Sequence, residues 1–377
     1  IEETISNVVQ LPEQIKEAAN APTIEPDEDG GVTVDFTEVN IEMEPESEMK
    51  EWYGNIANNL DDDSLIEIAE DVINNYTADK DSRAEWESMF ERGFDLLGLK
   101  IEDTSEPFEG ACTAVHPMLI ESAVKFQSKA IQEMFPANGP VKTQILGKIT
   151  PERELQSNRV KDFMNYQVTE QMPEYFDEFE RMLFHLPLIG SAFKKVYYDA
   201  NLKRPVSEFV PIDQFYVSYY ASNLNKADRY THVIYRSPVD LAKDMRTGIY
   251  DDIDLPEATN PNATSFSEKM DTILGLSPTE NSDPQYTLLE QHCYLEIDEE
   301  YALPYIVTVE EQSRTVLSIR RNYKKEDKQQ QKISHFVHYR FVPGFGFYGF
   351  GLMHFLGNLT MTATAAMRSL VDAGQFA

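Results

Sequence analysis

The chain has 377 residues, 65 acidic and 33 basic, for a formal charge of −32. A surface of that sign repels nucleic acid at long range, which disfavours sequence-specific DNA binding but not a wall past which DNA slides without sticking. Cys112 and Cys293 are too few and too far apart for a disulfide framework or a zinc site, and no run of eighteen apolar residues marks a membrane span.

Residues 1–60 are acidic and interrupted by Pro22, Pro26, Gly30, Gly31 and Pro45, which predicts a partly extended arm with one short strand over Val32–Phe36. Residues 61–190 predict helices. Asp61, Asp62 and Asp63 cap a first helix with Leu65, Ile68, Val72 and Tyr76 at helical spacing. Ser82 with Glu85 resembles a capping box ahead of a second helix, whose buried side is Trp86, Phe90 and Leu97. Pro117 opens a third helix with the stripe Leu119, Ala123, Phe126, Ala130 and Met134. Pro151 opens a fourth, with Val160, Phe163, Met164 and Val168 on one face. Pro173 interrupts it, and Phe176, Phe179 and Leu183 resume the pattern.

The period changes over 191–341. The runs 193–198, 207–210, 231–235, 288–297, 305–309, 316–322 and 335–341 are rich in β-branched and aromatic residues and predict a largely antiparallel sheet, broken by a long polar loop at 251–284. Residues 342–377 predict a glycine-aromatic turn and a helix with the stripe Leu356, Leu359, Ala363, Met367 and Leu370. Small residues over 362–366 would let another helix approach closely. The pattern is still helical at Ala377, so further chain is expected. The fold class is α+β.

Gly344-Phe345-Gly346-Phe347-Tyr348-Gly349 is a literal G-x-G-x-x-G between a strand and a helix, with Asp372 downstream. Bulky side chains between the glycines, an antiparallel strand before them and an acid in the same helix argue against a dinucleotide site. The segment reads instead as a flexible, aromatic-rich turn that packs against a neighbouring element. His335 and His338 lie three apart on a strand and point to opposite faces, which is poor for shared metal ligation, and the other five histidines are isolated in sequence. His292 and Cys293, adjacent on a strand, also face opposite ways. Lys324, Lys325 and Lys328, with Lys332, form the densest basic patch. It reads as a hairpin turn of solvated lysines or as a face toward DNA or an acidic neighbour. Lys194–Lys195 and Arg320–Arg321 are smaller basic clusters. No P-loop, G-x-S-x-G or H-E-x-x-H occurs, so no catalytic, cofactor-binding or metal residue is expected.

Three stretches together carry a resemblance. They are Glu109-Gly110-Ala111-Cys112-Thr113-Ala114-Val115-His116-Pro117 with Glu133–Pro136 and Gly139–Lys142; Leu186-Pro187-Leu188-Ile189-Gly190-Ser191-Ala192-Phe193 through Asp199 and Phe209–Asp213; and Phe341-Val342-Pro343-Gly344-Phe345-Gly346-Phe347-Tyr348-Gly349-Phe350-Gly351-Leu352 with Asn358–Thr360 and Asp372–Phe376. Over about residues 60–377 the chain resembles the podovirus-like portal proteins of tailed bacteriophages.

The resemblance implies a portal-type wing, with 61–190 its helical part, 191–341 its β-rich part and 342–377 leading toward the stem. Stem, clip and crown are expected beyond Ala377. It also implies a structural ring of about twelve copies, closed by head-to-tail contacts at one capsid vertex of the virion and assembled in the host cytoplasm. Implied partners are further copies of the chain, double-stranded DNA passing without sequence specificity, the terminase large subunit, a head-tail adaptor, and the major capsid protein or a scaffold, with no membrane. Within that family Gly344 to Gly349 become a candidate ring contact or bend, and valine at Gly346 and Gly349 is expected to block ring assembly. Two alternatives remain: a nucleotide-binding α+β enzyme using the Gly344–Gly349 loop, and a capsid-associated assembly protein without a channel.

Overall fold

The computed structural model describes residues 23–26, 32–35, 52–97, 111–199, 202–259, 283–297 and 301–375. The arm residues 1–22, 27–31 and 36–51, the loop residues 260–282, and Glu109, Gly110 and Phe376 lie outside them, as does the Phe90 side chain. The chain divides into two compact units, Ile1–Gly54 and Asn55–Ala377. In the first, β1 (Thr23–Pro26) pairs antiparallel with β2 (Val32–Asp35), Pro26 opposite Val32. One strand was expected there, and the structure supplies its partner.

The second unit mixes helices with antiparallel sheet. It opens with α1 (Asp62–Ser82), whose N-cap Asp61 accepts from the Ser64 amide at 3.2 Å, and α2 (Ala84–Phe94). The expected capping box at Ser82 does not form. Ser82 Oγ instead donates to Asp79 O at 2.7 Å and accepts from Tyr219 N–H at 3.0 Å, and α2 starts directly at Arg83 without a side-chain cap. Trp86 and Leu97 are buried as predicted. Next come α3 (Met118–Met134), α4 (Pro151–Tyr166) and, after a π-turn at Gln167–Gln171, α5 (Glu174–Ile189). In α3, Leu119 and Ala123 are fully buried while Met134 is exposed.

The predicted strands fall into two sheets, not one. β3 (Ser191–Asp199) is central in the first, between β4 (Arg204–Val210) and β10 (Phe336–Arg340). The second has the order β5 (Phe215–Tyr216), β6 (Tyr230–Arg236), β7 (Tyr286–Leu295), β8 (Leu303–Glu310) and β9 (Thr315–Arg321), all antiparallel. Helix α5 covers the first sheet and α1 packs on the second. Between β6 and β7 stands α6 (Pro238–Arg246), which the periodicity did not suggest. Its N-cap Ser237 accepts from Asp240 N–H at 3.1 Å, and Pro238 occupies the first turn.

The last helix, α7 (Leu352–Gln375), packs on α2, α3 and α5. Its buried face is Met353, Gly357, Thr360 and Thr364, turned from the expected stripe, of which Leu356, packed against the core, Ala363 and Met367 are half-buried. Leu359 and Leu370 point to solvent, 54% and 76% exposed. Small residues let α7 lie close to its neighbours, and its larger apolar residues are left outside.

Asp79 is a buried carboxylate at the end of α1, held by Arg229 in a two-point contact at 3.1 and 3.0 Å. Burial raises its pKa and the Arg229 guanidinium opposes that. Removing the cation leaves an unpaired buried charge, so Arg229→Met costs about 3 kcal/mol. Urea unfolding should show a lower midpoint at an unchanged slope, and adding Asp79→Asn should recover part of the loss.

Candidate functional site

The glycine-aromatic segment lies between β10 and α7 and is pinched shut where Phe350 N–H donates to Val342 O at 2.8 Å. Two of its aromatics point into the core. Phe347 stacks on His338 with ring centroids 4.6 Å apart, and its amide donates to Tyr219 O at 2.9 Å. Tyr348 stacks on Trp86 at 4.6 Å, and its hydroxyl accepts from Val217 N–H at 3.1 Å and donates to Val217 O at 3.0 Å. Arg83, fully buried, donates to the same hydroxyl at 3.4 Å, to Ile212 O at 2.9 Å and to Phe215 O at 2.8 Å. Its guanidinium lies 3.8 Å from the centroid of the Tyr216 ring.

The glycines serve this packing. A Cβ on Gly349 would meet the Gly190 carbonyl, and one on Gly351 the Leu188 carbonyl. Gly190 itself ends α5 at φ +101°. A Cβ on Gly346 would lie 2.7 Å from the Tyr219 ring. Valine at Gly346 and Gly349 therefore disrupts the subunit's own core before any question of assembly arises. Two backbone N–H groups of the motif are already committed, Phe347 to Tyr219 O and Gly349 to Ser191 Oγ at 2.8 Å, and just after it Gly351 donates to His354 Nδ1 at 3.1 Å. Of the six candidate residues, Gly344 and Gly346 are half-buried, Phe347, Tyr348 and Gly349 are buried, and Phe345 alone faces solvent, at 99% exposure.

The basic patch sits in the connection 322–335, which crosses from β9 in one sheet to β10 in the other. It is not the hairpin that was expected. Lys324 and Lys328 are exposed, Lys325 is half-buried, and Asp327 orders the turn by accepting from the amides of Gln329 and Gln331. Lys332 leaves the patch, donating to Ala227 O at 3.1 Å above the Tyr230 ring. Lys194 and Lys195 form no surface patch either. Lys194 is buried over the rings of Tyr175 and Phe179, and burial lowers its pKa to about 8.

Lys195 leads to a cluster the sequence did not reveal. Its ammonium donates to both Glu290 oxygens at 2.7 and 2.8 Å. His292 Nε2 lies 3.3 Å from Glu290 Oε1, and its Nδ1 lies 3.4 Å from Asn322 Nδ2. Asn322 Oδ1 in turn faces His335 Nε2 at 3.2 Å. Only one neutral tautomer of His292 fits this chain, with the proton on Nε2, donating to the carboxylate and accepting from Asn322. His232 Nδ1 stands 3.7 Å from the same carboxylate. Three of the seven histidines thus gather around Glu290, although no spacing in the sequence links them. Strand pairing does so: His232 opposes Glu290, Tyr230 opposes His292, and Phe336 opposes Lys195.

Burial alone would raise Glu290, but Lys195 and the two imidazoles outweigh it and hold the carboxyl well below the ordinary value. Burial pushes His292 and His185 down to about 4 and His338 to about 3, and lowers His232, His335 and His354. The cluster is a closed electrostatic clasp between the two sheets. Among the described residues no group of three His, Cys, Asp or Glu side chains is placed to hold a metal ion, and no described helix is long and apolar enough to cross a membrane.

Two surfaces are left outward. No residue from 131 to 171 is buried, and on α4 Leu155, Val160, Phe163, Met164 and Tyr166 are all exposed. The face predicted for burial has no core beneath it. The second surface is the outer side of α7, with Phe355, Leu359 and Leu370. No protein-family model matches the chain, and no curated protein matches it.

The lowered imidazoles bind protons in the unfolded chain from about pH 6.5 downward but in the folded chain only at lower pH, near 4 for His185 and His292, so stability present above 6.5 is lost as pH falls below it. Asp213, raised to about 6 chiefly by burial, acts in the opposite sense, as do Asp79, Asp244 and Glu311, which burial also raises, so four carboxyls stand against six imidazoles. The urea midpoint should therefore be lower at pH 5 than at pH 7. An unchanged or higher midpoint would contradict the buried neutral histidines.

Proposed function

We propose that this chain is a subunit of a tailed-phage portal ring, its described body corresponding to the wing and α7 leading toward the stem. In this reading it has no reaction of its own. Copies close a ring at the capsid vertex, DNA passes through without sequence readout, and the ring carries terminase and then tail adaptors.

The observation that carries the reading is that the three stretches of resemblance, far apart in sequence, meet around α7. Arg368 donates from Nε to Ala114 O and from Nη2 to Thr113 O, both at 2.8 Å, and Asp372 accepts from Cys112 N–H at 2.8 Å. His116 N–H donates to Thr364 Oγ1 at 3.1 Å. Phe341 N–H donates to Gly190 O at 3.0 Å, and Gly349 meets Ser191. The first stretch thus meets α7 and the second meets the segment that leads into it.

The two outward apolar surfaces also support a multi-copy assembly. Rings need two different, complementary faces on each subunit. The charge of −32 suits a conduit that must not grip DNA.

Electron-microscopic class averages of the purified protein, viewed down the particle axis, test this directly. The expected view is a closed ring of about twelve copies with a central hole. A monodisperse monomer across the accessible concentration range would overturn the reading.

A further inference from the structure

We infer that α4 is the arm by which one copy grips the next, its apolar stripe seating lengthwise on the outer face of α7 in a second copy. The inference rests on the ring reading and assigns to it a specific pair of helices.

A helix of 16 residues is marginal alone in water and gains most of its stability by burying a face. Within its own subunit α4 buries none. Ser157 donates to Thr143 Oγ1 at 2.8 Å, and Asn165 bridges the N–H and carbonyl of Val141 at 2.9 and 3.2 Å. These polar contacts hold the side of α4 that carries Ser157, Lys161 and Asn165. Leu155, Arg159, Phe163 and Tyr166, at i, i+4, i+8 and i+11, share the opposite side, so the stripe is aimed away from the subunit. Its apolar members are 63%, 59% and 53% exposed.

The seat has the matching layout. On α7, Phe355, Leu359, Thr362, Ala366 and Leu370 follow at i, i+4, i+7, i+11 and i+15 and are all exposed. The charged residues of this 24-residue helix are Arg368 and Asp372, and both turn inward onto 112–114. The outer face therefore carries no charge, which is unusual for solvent-facing helix in a chain with 98 charged residues. Thr362 and Ala366 form a shallow point where another helix can come close.

Charge selects a second copy as the occupant. Residues 139–166 hold five basic side chains against three acidic, a net of +2 in a chain of −32. The rest of the chain carries −34, so another copy offers this arm an acidic surface. A basic arm with an apolar stripe fits the uncharged apolar face of α7 on such a copy, and the two surfaces lie on different elements, as head-to-tail closure requires.

The test is the double variant Leu155→Glu/Phe163→Glu in the full chain, with wild type alongside, read by mass photometry and thermal unfolding. These side chains are exposed, so the monomer should melt as wild type does. The concentration at which half the subunits are assembled should rise by at least about tenfold, since glutamates now enter an apolar contact. A second measurement gives the pairing: Phe163→Cys/Leu359→Cys in a Cys112→Ser background should form a covalent ladder on oxidation, and either cysteine alone should not. Wild-type rings with an unaffected double variant and no ladder would overturn this pairing and leave the ring reading standing. Wild type that never assembles would overturn both.

Discussion

Arg83 ends α1 with its guanidinium wholly inside the protein, and the groups it binds come from three separate parts of the chain. Ile212 O and Phe215 O belong to the crossing between the two sheets, Tyr348 to the segment before α7, and Glu87 to α2. Burying a guanidinium is costly unless its donors are met and its charge is compensated. Here two carbonyls and a phenol meet Nη1, the Glu87 carboxylate meets Nε, and the face of Tyr216 compensates charge, while Nη2 has no hydrogen-bond partner. Tyr348 extends the junction by bonding both polar groups of Val217 and stacking on Trp86. The glycines that flank Tyr348 follow from this. Their backbone must pass against the end of α5 for the ring to reach its partners.

The Glu290 clasp does similar work between the sheets, with Lys195 from β3 meeting Glu290 from β7. Both junctions are polar, buried and nearly complete, which favours one arrangement of the layers over others that bury similar apolar area. Other polar contacts keep the outward faces of α4 and α7 where they are. The inner side of α4 is held by Asn165 and Ser157, and that of α7 by Arg368, Asp372 and its small-residue face. Neither helix can roll its apolar stripe inward without breaking those contacts, so the stripes remain available to another chain.

The strands and most helices were legible because their patterns are local: β-branched runs at 191–341 and proline or acidic starts at Asp61, Pro117 and Pro151. The α6 start was also written in the sequence, as Ser237-Pro238 with Asp240, but nine residues give too short a periodic signal. What local pattern cannot carry is which apolar face is used. On α7 the leucines suggested the buried side, while close packing selected Gly357, Thr360 and Thr364. On α4 a plausible core stripe met no core. The division into two sheets was hidden for the same reason, since alternation gives a strand its faces but not its neighbours. The Glu290 cluster depends on cross-strand register, and its histidines looked isolated. The glycine segment reads in sequence as a flexible, aromatic-rich turn, and the reason for its glycines, contact with Gly190 and Leu188, is visible only in three dimensions.

The central claim is that the Arg83–Tyr348 junction makes helices and sheets one cooperative body. Native-state hydrogen exchange of Arg83→Met tests it most directly. The account predicts that protection falls together in α2, β5, β6 and α7, by a similar free energy in each. Loss confined to α1 and α2, with α7 and the sheets at wild-type protection, would contradict it.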